Sequence, residues 1–201
     1  MIQGIFYARF LLQEGPRVIA QSPPDLIGSC PSNKPAGLNP ANDGGAGSIS
    51  SLQQGDPTSY LLNFDVLSNY IIPRKSFCNR LLATTTPDSK YVVLGFPVLI
   101  PDQAKYRRNE FIFNFCVVVE EGVERVPYER VVRRLAVTFA EMEKQDGYLS
   151  GQDGRGHRRS DGDVGTGSVD ELGGRRSVDG LLEIIREDLN NYGECMIPVG
   201  K

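Results

Sequence analysis

Two apolar runs on either side of a short polar connection set the tightest limit on the fold of this chain. Residues 91–100 (YVVLGFPVLI) and 111–119 (FIFNFCVVV) are β-branched and aromatic almost throughout, as central strands are. The connection between them, PDQAKYRRNE, carries three cations in four residues: Lys105, Arg107 and Arg108. It is expected to stand in water at the end of a rigid sheet, the setting in which loops tend to carry function.

With 201 residues the chain is expected to form a single domain. A hydrophobic content of 40% and a charged content of 23% are ordinary for a soluble globular chain. A net charge of −3 provides no general attraction to nucleic acid or to anionic lipid. No run approaches the ~20 apolar residues that span a bilayer. The first ten residues lack a basic start and a small-residue cleavage site, so they read as a strand and not as a signal peptide. Cys30, Cys78, Cys116 and Cys195 are scattered with no CxxC, which fits a reduced, cytosolic compartment. Cys116, inside an apolar strand, is expected to be a buried free thiol.

Along the chain, residues 2–12 and 17–21 pattern as a hairpin about Glu14, Gly15 and Pro16. Residues 60–72 pattern as an amphipathic helix on Leu62, Val66, Leu67, Tyr70 and Ile71, stopped by Pro73. A short turn over 76–82 and a strand over 82–86 lead into the central pair. Pro127 then suits the start of a helix that runs to about Lys144 on a stripe of Val131, Val132, Leu135, Phe139 and Met142. Arg130, Arg133 and Arg134 fall on its other face, as a solvated surface. A last helix is expected over 181–192, capped by Asp179 and ended by Gly193. Residues 28–59 and 147–180 are rich in Gly, Ser, Pro, Asn, Asp and Arg without periodicity, and are expected to be disordered insertions. The order of elements gives an α+β sandwich with helices on the faces of one mostly antiparallel sheet.

The residue inventory excludes most enzyme chemistry. The single histidine, His157, lies in the second insertion, where nothing can hold it against a nucleophile or a metal. A Ser/His/Asp triad, a Cys/His pair and a histidine metal site are therefore rejected. GxxxxGK[ST] and a GxGxxG after a strand are missing, and Gly165 and Gly167 lie in low-complexity sequence. No cofactor or metal is expected. The basic loop remains, with two meanings open. An arginine displayed there can enter another protein's phosphate site, where a guanidinium supplied in trans stabilises the transition-state charge of GTP hydrolysis. It can also be a charged strand connection that only keeps the loop soluble, the commoner case for a charged turn.

Phe10, the run EGPRVI at 14–19, Pro24 and Asp25 resemble the opening hairpin of a known family. Its first helix ends like YIIP at 70–73. Its centre is like GFPVLI at 95–100, KYRRN at 105–109 and Phe113-Asn114, and its third helix and exit are like DLN at 188–190, GEC at 193–195 and Ile197-Pro198. On these residues the chain resembles the N-terminal longin domain of the nitrogen permease regulator 2-like family. The resemblance implies a longin-like α+β fold: a five-stranded, mostly antiparallel sheet flanked by three helices, forming one domain over 1–201 with insertions at 28–59 and 147–180. It implies a subunit of a GATOR-type (SEACIT) complex, cytoplasmic and held peripherally at the vacuolar or lysosomal membrane. There the complex restrains TOR signalling, and with it favours autophagy, when amino acids or nitrogen are scarce. The partners it implies are a nitrogen permease regulator 3-like subunit, a DEP-domain subunit and a Rag-family GTPase. The family's finger arginine stands immediately before the Asn of KYxRN and maps to Arg108, with Lys105, Tyr106, Arg107 and Asn109 as binding residues. Such a chain is a GTPase activator rather than a self-contained enzyme. Family members continue past the third helix, so a chain ending at Lys201 is read as a fragment or a shortened gene product.

A non-catalytic longin adaptor that scaffolds a partner is the alternative: the finger reading needs Arg108 exposed and mobile, and the adaptor is indifferent to it. A SNARE-type longin requires a C-terminal heptad stretch and anchor, and neither is seen in this sequence.

Overall fold

The computed structural model describes residues 1–28, 60–151 and 177–193. One sheet runs in the order β2 (Gly15–Ser22), β1 (Ile2–Leu11), β8 (Glu110–Glu120), β6 (Tyr91–Gly95), β5 (Leu82–Thr85), and every neighbouring pair is antiparallel. The two apolar runs are adjacent strands, as expected. The first of them is divided: β6 pairs β8 at one end, and β7 (Val98–Pro101) pairs the other end of β8. Pro97 has no N–H to donate to the ladder, so pairing stops at Phe96-Pro97 and resumes beyond it. The longin-like α+β architecture therefore stands, with one of its five strand positions filled by two collinear segments.

Strand β8 is the axis of the core. Its side chains alternate, and both sets are covered. Phe111, Phe113, Phe115, Val117 and Val119 pack with Val132, Leu135 and Phe139 of α2 (Val126–Asp146) and with Leu182 and Ile185 of α3 (Val178–Tyr192). Phe115 stacks on Phe139 at 4.1 Å between centroids and on Tyr7 at 4.8 Å. Cys116 and Val118 face α1 (Phe64–Ile71) with Phe6, Ala8, Leu67 and Ile71. Burial on both faces explains why the run is continuously apolar instead of alternating with polar residues. Cys116 is a buried free thiol, and burial pushes its pKa well up.

Asn114 interrupts this apolar strand. It is buried, and its Nδ2 donates to the Ile71 carbonyl at 2.7 Å. The last carbonyls of a helix lack intrahelical partners, and the short α1 ends against the sheet through this bond. Asn114→Leu should destabilise the fold by about 1–3 kcal/mol, because a buried carbonyl loses its donor; urea unfolding measures it.

Several expected boundaries are corrected. Helix α1 begins at Phe64, not at 60, because Asn63 caps it by accepting from the Asp65 N–H at 2.9 Å. Leu62 and Asn63 instead form β4, which pairs in parallel with β3 (Ile27–Gly28). The buried face of α1 is Phe64, Leu67 and Ile71, while Val66 and Tyr70 are exposed. Ser177, not Asp179, caps α3, and its side chain accepts from the Gly180 N–H at 3.3 Å. Gly193 ends α3 in the left-handed conformation, as expected. The ends of both insertions belong to the fold: Gly28 lies in β3, Tyr148 and Leu149 are buried in the core, and α3 starts at Val178. The disorder expected of the insertions concerns residues 29–59 and 152–176, which lie outside the described residues, as do Cys30, His157 and Cys195.

Candidate functional site

The β7–β8 connection projects from the end of the sheet, and its backbone is braced internally. Asp102 Oδ1 accepts from the Ala104 and Lys105 N–H groups at 2.9 and 3.0 Å. The Asp102 N–H donates to the Asn109 carbonyl at 2.9 Å, and the Asn109 N–H to the Tyr106 carbonyl at 2.8 Å. Asn109 has φ +63°, a left-handed conformation that Asn adopts more readily than most residues. The turn that displays Arg107 and Arg108 is thereby closed at both ends.

The five residues of the KYRRN segment divide by direction. Lys105 and Tyr106 reach toward α2. The Tyr106 ring stacks on Phe111 at 5.2 Å, and its hydroxyl donates to Glu143 Oε1 at 2.7 Å. The Lys105 ammonium donates to the Glu143 carbonyl and lies 3.3 Å from its Oε1. Arg107 and Arg108 are exposed, and among the described residues neither has a carboxylate within ion-pairing distance. The Arg108 guanidinium rests 4.7 Å from the centre of the Phe10 ring, on the β1–β2 hairpin.

Glu143 was not singled out by sequence reasoning, and it is the hub of this corner. The residue is completely buried in the last turn of α2. Besides Tyr106, its carboxylate accepts from the Leu149 N–H at 2.8 Å, the Ser150 N–H at 2.9 Å and the Ser150 hydroxyl at 2.8 Å. Burial acts to raise its pKa. The bonds from Ser150 and Tyr106 and the attraction of Lys105 outweigh burial and hold it below the ordinary value. Burial and the same hydrogen bond push the Tyr106 phenol well up, so it remains a donor at neutral pH. A signal existed in the sequence. Leu135, Phe139 and Glu143 follow one another at i, i+4 spacing, which puts a carboxylate on the buried stripe of the helix.

A cleft of about 1080 Å³ opens between the connection, the β1–β2 hairpin and the end of α1. Its basic lining comprises Arg9, Arg74, Lys75, Lys105, Arg107 and Arg108. Its two carboxylates are already paired: Glu14 with Arg17 at 2.6 Å and Glu110 with Lys75 at 2.7 Å. The wall nearest Arg108 therefore suits an anionic surface. No group of metal-ligating side chains occurs among the described residues. None of the helices in them is long and apolar enough to cross a membrane.

Fold and connection together define a longin-like domain whose central hairpin presents two arginines on a braced turn. The family model for nitrogen permease regulator 2 matches residues 1–201, and the chain belongs to that family. It is 30% identical over 194 residues to the nitrogen permease regulator 2 homolog of Schizosaccharomyces pombe, covering 96% of this chain and 36% of that protein. It is 37% identical over 99 residues to the GATOR complex protein NPRL2 of Drosophila melanogaster, covering 48% and 24%. To nitrogen permease regulator 2 of Saccharomyces cerevisiae it is 28% identical over 187 residues, covering 69% and 29%. The chain thus spans about a third or less of the length of these curated relatives.

Proposed function

We propose that this chain is the N-terminal domain of a GTPase-activating subunit that works within a GATOR-type (SEACIT) complex on a Rag-family GTPase. Arg108 is the residue supplied in trans. The observation that carries this is the exposed Arg108, free of any carboxylate partner among the described residues, on a turn whose two ends are hydrogen-bonded in place. The contact with Phe10 does not oppose it. An exposed cation–π contact is worth about 0.5–1 kcal/mol, whereas a finger arginine contributes about 10³–10⁵ in rate, or roughly 4–7 kcal/mol. The name of the Drosophila relative supports the complex. Within it we assign a nitrogen permease regulator 3-like subunit and a DEP-domain subunit as partners, and negative regulation of TOR at the vacuolar or lysosomal membrane as the setting. The deciding experiment is GTP turnover by a Rag pair with the assembled complex, with and without Arg108.

An adaptor role needs a docking surface, and one observation favours it. Strand β5 is an open edge, and Val66, Tyr70 and Phe77 stand exposed around the adjoining groove. Docking and catalysis are compatible in one subunit. Co-expression with a regulator 3-like longin domain should raise soluble yield and give co-elution. Separate elution at micromolar concentration counts against the pairing.

A further inference from the structure

We propose that Glu143 is the positioning residue for the turn that carries Arg108, acting through the hydroxyl of Tyr106. This rests on the reading of Arg108 as a residue supplied in trans.

The path is continuous. Glu143 is anchored in α2 and surrounded by donors from Leu149 and Ser150, which fix its carboxylate independently of the connection. The Tyr106 hydroxyl binds that carboxylate at 2.7 Å, while the ring lies against Phe111. The Tyr106 carbonyl then accepts from the Asn109 N–H at 2.8 Å, and the Asn109 carbonyl from the Asp102 N–H at 2.9 Å. Arg107 and Arg108 are the two residues between those anchored points. Lys105, the residue before Tyr106, reaches the same carboxylate and the carbonyl of the same glutamate.

A buried carboxylate is costly unless it is fully hydrogen-bonded. An apolar residue at 143 would complete the helix stripe more simply. The glutamate instead supplies a fixed acceptor against which the base of the turn is registered. A guanidinium that must meet a phosphoryl group gains from this, because misplacement by about 1 Å costs roughly 10²-fold in rate. Flexibility at Tyr106 would dilute the productive pose of Arg108 without removing its charge or the docking surface.

The test is single-turnover GTP hydrolysis by a Rag-family GTPase, titrated with the assembled complex, so that the maximal rate and the half-saturating concentration are separated. Tyr106→Phe is the mildest variant, since the ring and its stacking remain and only the hydroxyl goes. Glu143→Gln is the second. Both should lower the maximal rate by about tenfold or more with the half-saturating concentration unchanged. In the Arg108→Ala background, Tyr106→Phe should have no further effect, because a turn with no finger has nothing to position. A merely structural role predicts the opposite: loss of assembled complex or weaker docking, an undiminished maximal rate at saturation, and effects that add to Arg108→Ala. If Arg108→Ala lowers the rate and Tyr106→Phe does not, the positioning inference falls and the finger stands. If Arg108→Ala leaves the rate unchanged, the finger reading falls, and the inference with it.

Discussion

Arg108→Ala is expected to lower stimulated GTP hydrolysis by about 10³-fold or more while leaving complex assembly intact. The two outcomes separate for physical reasons. Arg108 is exposed, so its loss opens no core cavity, and such surface changes usually shift stability by only about 0.5 kcal/mol. The weak contact with Phe10 is the only described interaction it gives up. The hydrolytic transition state, by contrast, loses a full charge placed against its phosphate oxygens. Arg108→Lys should rescue poorly, because an ammonium lacks the planar fork that engages two oxygens at once. Arg107→Ala should cost less. Since Arg107 is exposed on the same turn, the double variant must be measured beside the single ones. Unchanged turnover in both Arg108→Ala and the double variant would make the adaptor the better account.

The second large effect concerns the fold. Glu143→Ala should destabilise the domain by about 3 kcal/mol or more, since removing one member of a buried, hydrogen-bonded charge cluster strands the others. The Leu149 and Ser150 N–H groups and the Tyr106 hydroxyl lose their acceptor, and the Ser150 hydroxyl keeps only the Gly147 carbonyl at 3.3 Å. Denaturant unfolding measures the loss. The same residue sets an acid limit. Its folded pKa lies below its ordinary value of 4.5, so its contribution is fully present above about pH 4.5 and is lost as pH falls through the lowered folded value. The stability gap between the natural protein and Glu143→Gln should therefore narrow below pH 4.5. A gap constant to pH 3 would show that the carboxylate is not held in its charged form.

How the chain could be read depended on the range of the interactions. Alternation and β-branched composition are local properties, so the central strand pair, the hairpin before it and helices α2 and α3 were all legible. So was the loop that carries Arg107 and Arg108, because two strong apolar runs bracket it. The start of α1 was misplaced because a cap at Asn63 and the pairing of Leu62 with Ile27 compete with helix periodicity. That pairing joins segments more than thirty residues apart, and no local window contains it. The exposure of Val66 and Tyr70 was missed for a related reason: periodicity marks an apolar stripe without saying which part of it meets the sheet.

The sequence by itself determined the layer architecture, the family and the display of a basic turn between two central strands. The architecture and the turn follow from residues close together in the chain, and the family from short motifs spread along it. The tertiary structure alone decided how that turn is held. Tyr106, expected to stand in water with the rest of the loop, is drawn inward by Glu143, some forty residues later in the chain and on another element, and Lys105, still exposed, bonds to the same residue. A carboxylate is stable in that core only because five donors from two segments, 105–106 and 149–150, converge on it. Convergence of that kind exists only once the chain has folded.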